Sequence, residues 1–162
     1  MHRCTQIRIE GDPESACARA YRLAADIQDW PKLLPHYRYL RVLEQGPRHK
    51  LADFGASRSG LPVSWRGLQE LDPETGRIRY THVKGITRGM TVEWRLEKQS
   101  DHVMVSLEHT IRTASRNRAV AVASLPIELF RTLIVGRLFV DHIAGKTLRC
   151  IKAAVENDPE KP

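Results

Sequence analysis

From Met90 to Glu97 the residue type changes at every step. Met90, Val92, Trp94 and Leu96 are apolar, while Thr91, Glu93, Arg95 and Glu97 between them are polar or charged. A period of two is the period of an extended strand, and strict alternation means one dry face and one wet face. Such a strand belongs to an antiparallel sheet covered on one side only. The segment from His102 to Thr113 repeats the pattern, with Val103, Val105, Leu107, His109 and Ile111 in register. Any fold for this chain must therefore supply something to cover a single sheet face.

The turn residues give the number of strands. Gln45-Gly46-Pro47, Ser59-Gly60, Asp72-Pro73-Glu74-Thr75-Gly76 and the glycines at 85 and 89 all punctuate the middle of the chain. Between them lie strand segments at 37–44, 49–58, 62–71, 77–84, 89–98 and 102–113. A further strand, 4–10, precedes Gly11-Asp12-Pro13, where Asp12 is a good helix cap and Pro13 suits a first helical position. An alanine-rich helix over 14–26 follows, with Ala16, Ala20, Leu23 and Ala24 on one stripe, and then a short helix over 29–34 stopped by Pro35. Trp30-Pro31 reads as the anchor of this helix pair on the sheet. From Pro126 to Glu156 the spacing of Leu129, Leu133, Phe139, Ile143, Leu148 and Ile151 is helical.

The order is strand, two helices, six strands, long helix: an α+β chain in which a curved antiparallel sheet of about seven strands is gripped by its C-terminal helix. One helix on a strongly curved sheet leaves space between them, which predicts an apolar cavity. The reading is a single domain over 1–156 with a frayed tail at 157–162.

Composition narrows the function classes. The chain has 162 residues, 41% of them hydrophobic and 28% charged, which fits one globular domain with a real core. Its three cysteines, Cys4, Cys17 and Cys150, are far apart and show no metal spacing, so no metal or cofactor is expected and the reading is cytoplasmic. No apolar run is long enough for a membrane span. The net charge of +7 is spread along the chain, with no basic stripe interleaved with aromatics, so nucleic-acid binding is not expected. Attraction to an acidic carrier protein or an anionic membrane surface is compatible with it. Oligomeric state is left open.

The segment Asp26-Ile27-Gln28-Asp29-Trp30-Pro31-Lys32-Leu33-Leu34-Pro35 resembles the D-x-x-x-W-P-x-x-x-P stretch of the START-like (SRPBCC) superfamily, in its polyketide cyclase/dehydrase and coenzyme-Q-binding branch. The spacing to Tyr37 and Val42-Leu43-Glu44, Trp65, the turn at 72–76, Gly85, Met90 to Trp94 and Leu148 to Glu156 are similar as well. The resemblance implies the helix-grip fold, and a protein that binds a hydrophobic small molecule in its cavity as a polyketide cyclase or aromatase does. The alternative is a non-catalytic carrier of a lipid, quinone or isoprenoid; a filled-core interaction module is a third reading. Aromatase relatives pair a pocket Trp with an Arg four residues on. Here Trp65 matches the first, and the Arg position is Gln69, which keeps hydrogen bonding but loses the cationic fork.

Strand parity places Tyr80 and His82 on one face with Ile78. His82, His109 and Tyr80 are the candidate acid/base set, because a neutral imidazole moves protons near neutral pH and a phenol can hold an enolate oxygen. Each histidine also reads as an ordinary buried histidine. Ligand contacts are expected from Tyr37, Trp65, Gln69, Met90, Val92, Trp94 and Leu107 on the sheet and from Phe130, Ile134 and Leu138 on the helix. Trp65 and Trp94 read equally as core aromatics. The loop from Lys84 to Gly89 is a candidate gate, or an ordinary hairpin loop.

Overall fold

Six strands paired antiparallel in sequence order, with the first strand of the chain added beside the last of them, organise the computed structural model. It describes residues 2–58, 61–85, 87–111 and 141–157. The strands are β1 (His2–Glu10), β2 (Tyr37–Gln45), β3 (His49–Arg58), β4 (Leu61–Asp72), β5 (Arg77–Gly85), β6 (Met90–Lys98) and β7 (His102–Ile111). They form one seven-stranded sheet in the order β1-β7-β6-β5-β4-β3-β2, with every pairing antiparallel. The helices are α1 (Pro13–Ala25), a 3₁₀ turn at Ile27–Asp29, the one-turn α2 (Trp30–Leu33) and α3 (Asp141–Glu156).

The period-two reading is visible in the burial. Along β6, Met90, Val92, Trp94 and Leu96 are buried and the residues between them are not. Along β7, Val103, Val105, Leu107 and His109 are buried. Ser106 on the outer side is buried as well, and accepts a hydrogen bond of 3.0 Å from Gln6 of β1. The outer face carries the charge. Glu93 receives Arg95 at 2.9 Å and Arg79 at 3.6 Å, and Arg66 grips Asp53 with two bonds of 2.7 and 2.9 Å.

Asp12 caps α1 through its carboxylate, which accepts from the Ser15 amide at 2.9 Å, and Pro13 takes the first turn. Ala16, Ala20 and Ala24 bury one side of the helix; Leu23 is only half-buried. Lacking bulk, those alanines let α1 lie close to the sheet. The segment expected as one helix over 29–34 is a 3₁₀ turn followed by a single α turn, and Pro31 gives it a fixed start. On α3, Ile143, Ala144, Thr147, Leu148, Ile151 and Val155 are buried at helical spacing, and the helix packs on β1 and α1. The expected long helix spans 126–156; its part before 141 lies outside the described residues, as does the tail after 157.

Candidate functional site

Gln69, Tyr80, Val92 and His109 stand side by side on four adjacent strands, because Gln69 pairs with Tyr80, Tyr80 with Val92 and Val92 with His109. The next inward row brings Ile78, Trp94 and Leu107 together in the same way. The curved sheet therefore delivers residues far apart in sequence to one concave wall.

Between that wall and α3 lies a cavity. Tyr37, Phe54, Trp65, Tyr80 and His82 line it from the β2–β5 side, and Met90, Val92, Trp94, Leu107 and His109 from β6 and β7. Trp30 closes it from α2, and Ile143, Ala144 and Thr147 from α3. The enclosed volume is about 50 Å³, room for one or two waters against roughly 300–1,000 Å³ for pockets that hold drug-sized ligands. Among the described residues, a larger ligand requires that wall side chains move. A wider groove of about 510 Å³ beside Arg38, Tyr39 and Val63 is open to solvent, and among the described residues it carries no pair of acid/base groups.

Aromatic rings build the wall in an ordered way. Phe54 and Trp65 are opposite one another on β3 and β4 and stack at 5.4 Å with planes 3° apart. His82 continues the stack on the far side of Trp65, again at 5.4 Å and 3°. Gly67, opposite His82, leaves the space that these rings need: a Cβ there would lie 3.2 Å from the Phe54 ring.

Both histidines are almost fully buried. Burial, with His109 as a second cause, pulls His82 down to about 3. Burial also pulls His109 down to about 4, against the Leu107 carbonyl, which favours its protonated form. Each is thus a neutral imidazole at pH 7. The Nδ1 of His82 is 2.6 Å from the Thr87 hydroxyl in the β5–β6 connection, and Thr87 is itself buried. The Nδ1 of His109 is buried with no hydrogen-bond partner among the described residues.

Tyr80 and Gln69 are engaged elsewhere. The Tyr80 hydroxyl donates to the Ala24 carbonyl at 3.2 Å and accepts from Gln69 Nε2 at 2.9 Å. The same Gln69 nitrogen donates to the Ala25 carbonyl at 3.0 Å. Trp30 Nε1 reaches the Leu23 carbonyl at 3.1 Å. Three consecutive carbonyls at the end of α1, which a helix leaves unpaired, are met by side chains from below. Gln69 is fully buried and does not line the cavity.

The structure thus brings His82, His109, Tyr80, Tyr37, Trp65, Met90, Val92, Trp94 and Leu107 to one cavity and leaves Gln69 behind the wall. Phe130, Ile134 and Leu138 lie outside the described residues. Sequence reasoning did not nominate Phe54, Thr87 or Thr147. Phe54 shares the parity of buried Ala52 and Ala56, which was a usable signal. Thr147 lies on the apolar stripe of α3, where its hydroxyl is 2.9 Å from His36 Nε2. Nothing in the local sequence of Thr87 marks a turn residue as a partner of His82.

A family model described as polyketide cyclase / dehydrase and lipid transport matches residues 16–134. The actinorhodin polyketide synthase bifunctional cyclase/dehydratase of Streptomyces coelicolor is 28% identical over 117 residues, which cover 70% of this chain and 34% of that protein. The chain thus spans about a third of that relative. Among solved structures, the Zhui aromatase/cyclase from Streptomyces sp. R1128 superposes with a TM-score of 0.76 at 19% identity, covering 96% of this chain and 93% of that one. The di-domain aromatase/cyclase StfQ from the steffimycin biosynthetic pathway gives 0.71 at 19%, covering 96% of this chain and 50% of that one. At such identities the likeness shows the fold: the helix-grip arrangement expected from the element order is the one found.

Proposed function

The chain belongs to the polyketide cyclase / dehydrase and lipid transport family, and from that premise we propose that it binds an apolar, oxygen-bearing small molecule between sheet and α3 and promotes its ring closure. The observation that carries this reading is the pair His82 and His109, two neutral imidazoles on the wall of one apolar cavity.

Ring closure of a chain bearing several carbonyls needs three things. A base takes the proton from a carbon beside one carbonyl, whose oxygen then carries the charge. The resulting carbon forms a bond to a second carbonyl carbon, whose oxygen becomes an alkoxide and takes up a proton. A site that excludes water keeps the reactive chain from other fates. Neutral imidazoles can serve the proton transfers and the charge on oxygen. In this reading Trp94, Leu107 and Val92 hold the hydrocarbon part, and Met90, unbranched and adaptable, yields to admit it.

Tyr80 enters this account as a residue that holds α1 in place, since its hydroxyl is already bonded twice. An acidic carrier protein as the delivering partner, or an anionic membrane surface, is supported by the net charge of +7; a cytoplasmic location belongs to the same reading. No helix among the described residues is long and apolar enough to cross a membrane. The competing reading, a carrier without chemistry, is favoured by one observation: Gln69, at the position where aromatase relatives have Arg, is turned to α1 instead of the cavity.

Mass spectrometry of the purified chain under native and then denaturing conditions tests the reading. Release of a polyketide or polyphenol supports it. Release of a lipid or quinone supports the carrier.

A further inference from the structure

Hydrogen-bond accounting divides the labour between the two histidines. The Thr87 hydroxyl is buried at 2% exposure, and its bonded partner among the described residues is His82 Nδ1, at 2.6 Å. A hydroxyl has one proton to give. If Nδ1 carried the hydrogen, Thr87 would accept it and its own proton would be buried without a partner among the described residues, which is unfavourable. If the hydroxyl donates, Nδ1 is the acceptor, both atoms of the buried contact are satisfied, and the ring proton is left for the nitrogen that Thr87 does not occupy. In a neutral ring that places the hydrogen on Nε2.

We infer that Thr87 is a positioning residue that holds His82 with its proton on Nε2, so that His82 offers the ligand a hydrogen-bond donor and His109 is left as the base. The offer to a ligand rests on the proposed cyclase reading; the tautomer does not. His82 lines the cavity and stacks on Trp65, so its ring cannot turn freely, and with Nδ1 occupied Nε2 is the nitrogen left to meet a ligand oxygen. An N–H aimed at a carbonyl stabilises the charge that develops on that oxygen when the neighbouring carbon loses its proton. His109 pairs across the sheet with Val92 on the same wall; the Leu107 carbonyl can hold the single proton of its neutral ring, which leaves the other nitrogen as an acceptor.

Thr87 is held for this role by backbone bonds. Its carbonyl accepts from the Met90 amide at 3.0 Å, and the Gly89 amide returns to the His82 carbonyl at 2.9 Å. The β5–β6 connection thereby folds its one buried hydroxyl back onto the histidine that ends the ring stack. The loop singled out as a candidate gate is, in this account, the element that sets the tautomer.

The test is nitrogen NMR of the imidazole rings in the full chain at pH 7, with the His82 signals assigned by their loss in His82→Gln. The wild type should show His82 with Nε2 protonated and Nδ1 bare. In Thr87→Val the two nitrogen signals should move toward each other as tautomers mix, and Thr87→Ser should restore them. A wild-type ring protonated on Nδ1 overturns the inference, as does a Thr87→Val spectrum identical to wild type. The wild-type spectrum decides the tautomer even if Thr87→Val fails to fold. Because no ligand is used, failure of the cyclase reading leaves this result standing, and the converse also holds.

Discussion

The imidazole of His82 lies flat against the indole of Trp65, with ring centroids 5.4 Å apart and planes 3° apart. Burial is the leading reason why His82 is so weakly basic, and Trp65, stacked on one face of the ring, is one of the neighbours that bury it. Replacing Trp65 with Leu should admit water beside the ring and raise the His82 pKa toward the ordinary value near 6.5. Proton NMR titration of the ring measures it; an unmoved pKa would assign the shift to other neighbours.

Acid should destabilise the fold through its buried histidines. In the unfolded chain they titrate near 6.5, whereas in the folded protein His82 titrates at about 3 and His36 and His109 at about 4. Between those limits the unfolded state binds more protons, so stability rises with pH there. It is complete above about 6.5 and is lost as pH falls through 4 toward 3. Each pKa unit by which a histidine is lowered contributes about 1.4 kcal/mol to this pH dependence. Urea midpoints from pH 7 to pH 4 should fall, and His109→Gln should flatten the slope. An equal slope in the variant would remove His109 from the effect.

Tyr80→Phe should lower stability without weakening ligand binding. It leaves the Ala24 carbonyl at the end of α1 without its donor and removes one of the two acceptors of Gln69 Nε2, the Ala25 carbonyl remaining. The expected cost is about 1–3 kcal/mol, read from urea unfolding. Lost binding in a folded Tyr80→Phe protein would return the hydroxyl to the site.

Gly85→Ala should be poorly tolerated. Gly85 has φ +96°, and a Cβ there would lie 2.6 Å from the Ser64 carbonyl oxygen, a backbone atom that cannot swing away. Strain and clash together should cost about 1–3 kcal/mol or more, visible as a fall in Tm. A variant as stable as wild type would mean that β4 and β5 can separate locally.

His82→Gln and His109→Gln should each keep the cavity and slow turnover by about 10²–10⁴-fold. Turnover of a poly-carbonyl chain, followed by the absorbance of the ring product, supplies the readout. Wild-type rates in both variants would favour the carrier reading.

The sheet was legible because each strand carries its own signal. Met90 to Leu96 alternates without a break, and Asp72 to Gly76 is an unambiguous turn, so the strand positions agree to within a residue or two at the described ends. Which face is dry follows from the same parity, and this is why His82, His109, Trp65 and Trp94 were found. What parity cannot supply is depth along the strand and the competing demands on a polar group. Gln69 and Tyr80 share the inner face, yet their hydrogen bonds go to the last carbonyls of α1, a need created by tertiary packing. Thr87 escaped notice for a related reason. Its partner lies five residues away across a turn, and no periodicity marks such a contact.

The claim that the internal cavity is the binding site is tested most directly by NMR titration of the labelled full chain with 2-naphthol, a small planar apolar probe with one oxygen. The account predicts saturable shifts in the ring nitrogens of His82 and His109 and in the Trp94 indole. Shifts confined to Arg38, Tyr39 and Val63 would place binding in the open groove and contradict it, as would the absence of any shift at a probe concentration near its solubility limit.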